Sequence, residues 1–401
     1  IQRWNHGTMS HNLVIVDDEH QRTDERHPRL HRMLTTPRIS IVEASSDAYG
    51  QCTDYRRLVA LIKGPGAETF AVDIFRVRGG DKHDYLSVGP YWWPDPAQAD
   101  GLPYIRRDGE VNPERKAGDS VAMGRMNGAV KALALAYWFT RDERYAEQAA
   151  SLLRAWFLDP ATRMNPHLNF GQAIPGRCQG RGVGIIDTTG LIDLVDRVLL
   201  LCPSPHWTDA DHEGLQAWFD VYIEWLLGSE IGQDEGRARN NHGTWYDAQV
   251  AAFALFVGHQ NVAAEVLACV GEARLASQIE PDGSQPHELA RTKSWSYSVY
   301  NLNAFLVLGR LGEHVGLNLW HYRTVDGRSL QTATDFLCSH VDESVPWLHP
   351  QLGGWHPEAL LGSLLMAAHG LNEPRYLATA RGLPVDPARD LDWLLRFPLG
   401  N

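Results

Sequence analysis

The stretch RARNNHGTWYDAQ, residues 237–249, places two asparagines and a histidine directly before a segment with helical periodicity. Asparagine is a good helix N-cap, because its side-chain oxygen accepts a hydrogen bond from a first-turn backbone N–H, but one cap suffices. Taken alone, Asn241 and His242 also fit a capped helix start with a surface histidine. Their N–H groups, beside the positive end of a helix dipole, would otherwise suit an anion such as a carboxylate.

Basic residues cluster at three places that could line a cleft for such an anion. The clusters are Arg237 with Arg239, Arg177 with Arg181, and Arg291 with Lys293. The formal net charge of −12 disfavours nonspecific attraction to nucleic acid or to anionic lipid. An anionic ligand would therefore need a local basic cleft, although each cluster alone also fits a solvated surface.

Residues 80–113 are irregular by their glycine and proline content, yet they carry Tyr91, Trp92 and Trp93 in succession. Aromatic faces pack on the apolar C–H faces of pyranose rings, and the indole N–H stays free to donate a hydrogen bond. The segment therefore predicts a sugar-stacking platform. The alternative is a tryptophan pair that closes one end of the core.

These candidate residues need a scaffold, and from about residue 120 the apolar pattern is helical. One face of RYAEQAASLLRAWF is apolar, and EGLQAWFDVYIEWLLG repeats that spacing before Gly228, a plausible C-cap. Further periodic runs lie near 120–140, 185–201, 244–258, 260–278, 288–309 and 357–370. Helices are therefore expected to dominate.

Short turns alternate with long loops such as 159–184, as stacked antiparallel helix hairpins would produce if the long loops gathered at one end. The sequence shows no clear repeat of fixed period, which argues against a solenoid. The predicted fold is all-α: an incomplete or closed ring of about five to seven helix hairpins with a cleft at one end. Residues 1–40 are expected to be an unassigned N-terminal extension, and residues 41–401 a single catalytic domain.

Several classes of protein are disfavoured by what the sequence lacks. The five cysteines are scattered singly, without the spacing of a zinc site or a dense disulfide framework. There is no HExxH motif, EF-hand loop or His/Cys cluster, so no metal or cofactor is expected. No segment reaches transmembrane length, and the first 20 residues lack the apolar stretch of a signal peptide.

Four fragments in order along the chain carry a family resemblance: HDYLSVGPYWWPDP, DPATRMNPHLNFGQ, NNHGTWYDAQ and PDGSQPHELARTKSWSYSVYNL. Together they resemble the alginate lyase superfamily of bacterial polysaccharide lyases, including relatives that act on glucuronan. The resemblance implies an (α/α) toroid whose cleft holds an Asn-His pair, an arginine and a catalytic tyrosine. By position these are Asn241, His242, Arg291 and Tyr297, with Tyr300 and Tyr246 as alternative tyrosines.

The implied reaction is β-elimination on β-1,4-linked polyuronates such as alginate or glucuronan. Removing the C5 proton beside a carboxylate requires that the carboxylate be neutralised, and donors aimed at it contribute several kcal/mol. Tyr297 would serve as base and then as acid, which requires nearby cations to lower its pKa from about 10. One residue suffices for mannuronate and glucuronate, where proton and leaving group share a face. Guluronate would need a second group, for which His242 is the candidate.

The expected partner is an anionic polysaccharide, with neither nucleic acid nor membrane. The expected substrate-binding residues are Tyr91, Trp92, Trp93, His83, Gln172, Arg177, Asn240, Tyr246, Gln285 and Tyr300. Arg291 and Tyr297 are six residues apart, about 240° around an ideal helix, so they share a site only if the segment is distorted or they approach from different sides. Localisation stays open between a periplasmic or extracellular enzyme, as the resemblance implies, and a cytoplasmic one.

Two other functions compete with the lyase. A glycoside hydrolase on the same toroid would need two carboxylates flanking the bond, and Asp247, Glu280, Asp282 and Glu288 are available. A noncatalytic glycan-binding protein would use the aromatic loop alone.

Overall fold

A computed structural model of the chain describes residues 28–46, 52–64, 69–79, 83–98, 100–342 and 344–396. The chain divides into two compact units, one ending at Asp84 and one beginning at Tyr85. This boundary differs from the one expected after residue 40. The reason is that strands within residues 39–45, 52–63 and 69–79 form a sheet with the strand that precedes them.

The first unit contains a four-stranded antiparallel sheet, β1 (Arg29–Thr35), β2 (Ile39–Ser45), β3 (Cys52–Lys63) and β4 (Thr69–Gly79), in sequential order. Leu34, Ile41, Ala60 and Val72 lie in one row across it, so their side chains share a face. The all-α prediction is wrong here, because these four segments pair as strands, and β2 and β4 are rich in β-branched residues.

The second unit is mainly helical, as predicted from residue 120 onward. Its longer helices are α1 (Asp119–Thr140), α2 (Glu143–Leu153), α3 (Gly190–Leu199), α4 (Asp209–Gly228), α5 (Glu230–Gly236), α6 (Asn241–Phe256) and α7 (Gln260–Val270). They continue with α8 (Pro286–Leu289), α9 (Ser294–Glu313), α10 (Leu330–Ser339), α11 (Leu361–Gly370), α12 (Pro374–Gly382) and α13 (Leu391–Arg396). Short helical turns cover Pro113–Ala117, Arg154–Leu158, Gly182–Thr188, Gly271–Leu275, Ala276–Gln278 and Pro357–Leu360.

Helix α6 is the innermost element of this unit. Its side chains are buried almost without interruption from Asn241 to Ala254, which explains why its sequence shows little amphipathic contrast. It packs against α3, α4, α5, α7 and α9. The ring of Phe253 lies 4.8 Å from Phe219 of α4, so this contact belongs to the aromatic core. The first turn of α6 is thereby held on a rigid support.

Two long loops of the second unit are tied together by short strands. β5 (Leu86–Val88) pairs in parallel with β8 (Phe170–Ala173), which joins the aromatic loop to the loop 159–184. β6 (Trp92–Trp93) pairs with β7 (Ile105–Arg106) as an antiparallel hairpin. The tryptophan pair therefore sits on a hairpin strand rather than in irregular chain.

Candidate active site

Residues 240, 241 and 242 each make a different contact at the start of α6. Asn240 is the N-cap, its side-chain oxygen accepting a hydrogen bond from the backbone N–H of His242. Asn241 donates its backbone N–H and its Nδ2–H to the two carboxylate oxygens of Glu288, both at 2.7 Å. Asn241 and Glu288 are each only 1% exposed. Asn240 therefore serves as the cap through its side-chain oxygen, and its substrate-binding role stays a prediction.

Glu288 changes the expectation for the helix terminus. Free backbone N–H groups were expected at the start of α6. The backbone N–H of Asn241 instead donates to Glu288, so that part of the expectation is wrong. Burial raises the pKa of Glu288, and the two hydrogen bonds from Asn241 oppose that rise. One N–H of the Asn241 amide group donates to Glu288, which fixes the orientation of the amide.

His242 is held by a second buried acid. Its Nδ1 lies 2.6 Å from Oε1 of Glu235, which is 2% exposed in the last turn of α5. Because an ionised carboxylate only accepts hydrogen bonds, Nδ1 carries a proton toward Glu235 and Nε2 is the nitrogen left for other partners. Protonated Nε2 would donate to an anion, and unprotonated Nε2 would accept a proton.

Arg291 is held by a third acid, which lies directly after the aromatic hairpin formed by β6 and β7. Its Nη2 and Nε donate to the carboxylate of Asp108 at 2.7 and 3.2 Å, and Thr292 donates to the same group. Burial alone would raise the pKa of Asp108, but the hydrogen bonds from Arg291 and Thr292 outweigh it and hold that pKa well below its usual range. This pair therefore stays ionised at ordinary pH.

Tyr297 meets both Arg291 and the aromatic hairpin. Its hydroxyl donates to the Tyr91 hydroxyl at 2.7 Å, and the Arg291 guanidinium carbon lies 3.8 Å from the centre of its ring. Arg291 lies in the turn between α8 and α9, which splits the single helix expected over 288–309. The distorted segment is therefore the alternative that the structure adopts.

The expectation that nearby cations lower the Tyr297 pKa is wrong for this structure. Burial raises the pKa of Tyr297 most, the hydrogen bond to Tyr91 raises it further, and the opposing charge of Arg291 is too small to reverse this. The phenol is therefore neutral when no substrate is bound.

Asn241 bonds Glu288, and Tyr297 packs against Arg291. The carboxylate of Glu288 is close enough to Arg291 and His242 for both charges to lower its pKa. Sequence reasoning missed Glu235 and Asp108, and it considered Glu288 only as a hydrolase acid. No local motif could indicate Asp108, which is 183 residues from Arg291.

The tryptophans of β6 are half-buried and lie next to arginines. Arg177 and Arg181 place their guanidinium carbons 5.1 and 5.9 Å from the Trp92 ring. Arg107 lies 5.1 Å from the Trp93 ring, whose indole N–H donates to the carbonyl of Glu110. The Trp93 N–H is therefore not available to a sugar, whereas Trp92 lies in a basic environment.

Gln172 and His83 lie in different units. Gln172 has a left-handed backbone (φ 49°), donates to Asp187 at 2.8 Å and accepts from Arg181 at 3.1 Å. His83 is half-buried near the end of the first unit. Its substrate-binding role stays a prediction.

Three other predicted contact residues face the protein itself. The Tyr246 hydroxyl donates to the carbonyl of Leu226 at 2.7 Å, and Tyr246 is buried. Gln285 is buried and bonds Ser298 and Asn301, while the Tyr300 hydroxyl faces Thr189 at 3.4 Å. The polar groups of Tyr246 and Gln285 satisfy core partners, and the substrate-binding role of all three residues stays a prediction.

The acids considered for a hydrolase are engaged elsewhere. Asp247 pairs with Arg274 at 2.7 Å, Glu280 pairs with Arg328 at 3.3 Å, and Asp282 accepts from the backbone N–H of Ser284. Glu288 is bonded to Asn241. None of these contacts presents two carboxylates to a common ligand.

The part of the chain that the structure describes holds neither a metal-binding cluster nor a membrane-spanning helix. It contains no group of three or more His, Cys, Asp or Glu side chains arranged to hold a metal ion. Over the same residues, no helix combines the length and the apolar character needed to cross a membrane.

Comparison with known proteins gives a consistent result. A family model described as alginate lyase matches residues 76–347, more than half of the chain. The crystal structure of an alginate lyase from Bacteroides ovatus is 40% identical, with a TM-score of 0.77, over 80% of this chain and 86% of that one. Alginate lyase A1-III, as a variant complexed with tetrasaccharide, matches in fold with a TM-score of 0.52 and 17% identity, over 71% and 73% of the two chains. No curated protein sequence matches.

Proposed function

The chain belongs to the alginate lyase family and is a polysaccharide lyase, and on that premise we propose that it cleaves β-1,4-linked polyuronates by β-elimination with Tyr297 as proton carrier. The substrates proposed are alginate and glucuronan. The helical unit is proposed to adopt the (α/α) toroid, with the long loops forming its cleft. The observation that carries this proposal is the placement of the Tyr297 ring against the Arg291 guanidinium.

The substrate carboxylate would be held by three groups. They are the remaining amide N–H of Asn241, the protonated Nε2 of His242, and the outward N–H groups of Arg291. Each group is fixed from behind by an acid, so little reorganisation is needed when charge develops on the carboxylate. Fixed donors of this kind are worth about 3 kcal/mol each in the transition state.

Tyr297 would then carry out the proton transfers. In the free enzyme its phenol is neutral and already donates to Tyr91, so ionisation would send the Tyr297 proton along that bond, with Tyr91 releasing its own proton to solvent. The phenolate takes the C5 proton, the C4=C5 double bond forms, and the bond from C4 to the glycosidic oxygen breaks. The resulting phenol returns the proton to that oxygen, which regenerates the phenolate.

This single-residue cycle needs the C5 proton and the leaving oxygen on the same face of the sugar. Mannuronate and glucuronate meet that condition. Guluronate does not, and His242 with an unprotonated Nε2 would then share the proton transfer. The proposed preference is therefore for mannuronate-rich alginate or glucuronan over guluronate-rich alginate.

The test is incubation with polymannuronate, polyguluronate, glucuronan and hyaluronan while the ultraviolet absorbance of the unsaturated product is followed. A rising trace on polymannuronate or glucuronan supports the proposal. A flat trace on every acidic glycan, from protein that circular dichroism shows to be folded, would overturn it.

A further inference from the structure

Arg181 carries a half-buried charge without a matching acid. Its Nε and Nη2 donate to the backbone oxygen and the side-chain oxygen of Gln172 at 3.0 and 3.1 Å. Both acceptors are neutral, and within the described residues no carboxylate forms an ion pair with this guanidinium. Burial is the main cause that lowers the pKa of Arg181. A guanidinium has five N–H donors, so most of them remain for another partner.

Two other arginines of the second unit are each paired with an acid. Arg291 is paired with Asp108 at 2.7 Å, and Arg274 is paired with Asp247 at 2.7 Å. A desolvated cation is costly unless an anion compensates it. Two acids affect Arg181 electrostatically, Glu235 and Asp187, but Glu235 bonds His242, and Asp187 accepts hydrogen bonds from Tyr85, Ser87 and Gln172.

The surroundings of Arg181 suit a sugar. The Trp92 ring lies beside the guanidinium, and a Cβ at Gly89 would fall 2.6 Å from Trp92 Cδ1 and 3.0 Å from Arg181 Nη2. Only glycine allows this approach. Arg177 approaches the same ring, at 5.1 Å. A guanidinium beside a half-buried indole can bind a carboxylate and the C–H face of a pyranose together.

Arg181 is also next to the proposed reaction centre. A Cβ on the following residue, Gly182, would fall 2.9 Å from the backbone nitrogen of Glu235, the residue that holds His242. On the other side, Trp92 follows Tyr91, whose hydroxyl accepts from Tyr297. Arg181 is thus flanked by the segments that carry two parts of the centre.

We propose that Arg181, with Trp92 and Arg177, forms a second carboxylate-binding subsite that takes the uronate next to the one that reacts. This inference rests on the proposed function. It narrows the substrate class to polymers in which uronates follow one another directly. A glycan in which a neutral sugar alternates with each uronate, such as hyaluronan, presents no carboxylate to Arg181 when its uronate occupies the reaction centre.

The test compares Arg181→Gln with the wild type and with Arg144→Gln, a charge-matched control in which an exposed arginine paired with Asp142 is lost. Gln can still donate to Gln172. On polymannuronate or glucuronan, we expect Arg181→Gln to raise KM about tenfold to a hundredfold while kcat stays within about threefold, because one charge-assisted subsite is lost. Arg144→Gln should match the wild type.

The outcomes separate the two proposals. Wild-type protein that is inactive on every polyuronate would refute the proposed function, and the subsite with it. An active wild type whose KM is unchanged by Arg181→Gln refutes the subsite alone. The subsite also fails if folded Arg181→Gln loses kcat at constant KM, or if the wild type cleaves hyaluronan as readily as the homopolymers.

Discussion

The hydroxyl of Tyr297 donates a 2.7 Å hydrogen bond to the hydroxyl of Tyr91, which joins the first turn of α9 to the aromatic hairpin. The proposed proton carrier therefore has an acceptor in place before any sugar arrives. This arrangement, and the acids behind the three carboxylate-binding groups, lead to three predictions about activity, and the Arg154–Asp211 ion pair leads to a fourth about stability.

Replacing Tyr297 by phenylalanine should abolish most of the lyase activity. The ring and its stacking on Arg291 remain, so the loss is that of proton transfer, about a hundredfold to ten-thousandfold in kcat. The measurement is the initial rate of unsaturated product formation. Tyr246→Phe is the control: it should keep the rate and lose about 1 kcal/mol of stability, because the Leu226 carbonyl loses its donor. Equal activity losses in the two variants would contradict the assignment.

The activity should keep rising at alkaline pH. Burial and the Tyr91 bond raise the pKa of Tyr297, so the phenolate fraction grows with pH beyond the point, about pH 10, at which an ordinary tyrosine is half ionised. kcat/KM measured between about pH 7 and pH 10 should therefore show no plateau from Tyr297. A plateau well below pH 10, with the protein still folded, would mean that another group is the base.

Glu235 should act by positioning His242. Glu235→Gln keeps an oxygen acceptor for Nδ1–H, whereas Glu235→Leu removes it and lets the imidazole turn. We expect the glutamine variant to keep kcat within about tenfold and the leucine variant to lose about a hundredfold, in line with the loss of orienting partners elsewhere. Steady-state rates on one polyuronate give the comparison. Equal losses in two folded variants would show that the charge of Glu235, not its acceptor, matters.

The ionised carboxylate of Asp211 should stabilise the fold at neutral pH and lose this effect in strong acid. The hydrogen bond from Arg154 is the main cause that lowers the pKa of Asp211 from 3.8 to about 2. A depressed carboxyl pKa stabilises the fold above the ordinary value, and this contribution disappears as pH falls toward 2. Asp211→Asn should therefore cost about 1–2 kcal/mol near neutrality and little near pH 2, allowing for the partial exposure of Arg154. Urea unfolding at several pH values, with Asp209→Asn as control, measures this.

The sequence predicted elements whose cause is local. Helix α4 follows from apolar spacing and from the capping box that Thr208 and Asp211 form. The start of α6 at Asn241 followed from the same kind of signal. Position along the chain also grouped Asn241, His242, Arg291 and Tyr297, because the family motifs carry them.

What the sequence did not predict depends on tertiary contacts. Asp108 reaches Arg291 across the fold, and burial rather than residue type sets the direction of the Tyr297 pKa shift. Tyr246 was expected at the site because it is one turn after His242, yet its hydroxyl turns to Leu226. The sheet of the first unit was not predicted, because it is defined by pairing between strands rather than by a motif within any one of them.

One hairpin supplies two partners of the centre: Tyr91 just before β6, for Tyr297, and Asp108 just after β7, for Arg291. The pairing of Trp92 with Arg106 fixes both at once. Lengthening the hairpin tip between residues 94 and 104 should thus be tolerated. Sliding one strand by a single residue would instead misplace the Tyr91 hydroxyl and the Asp108 carboxylate together. The strand register of this hairpin should therefore matter to activity more than the length of its tip.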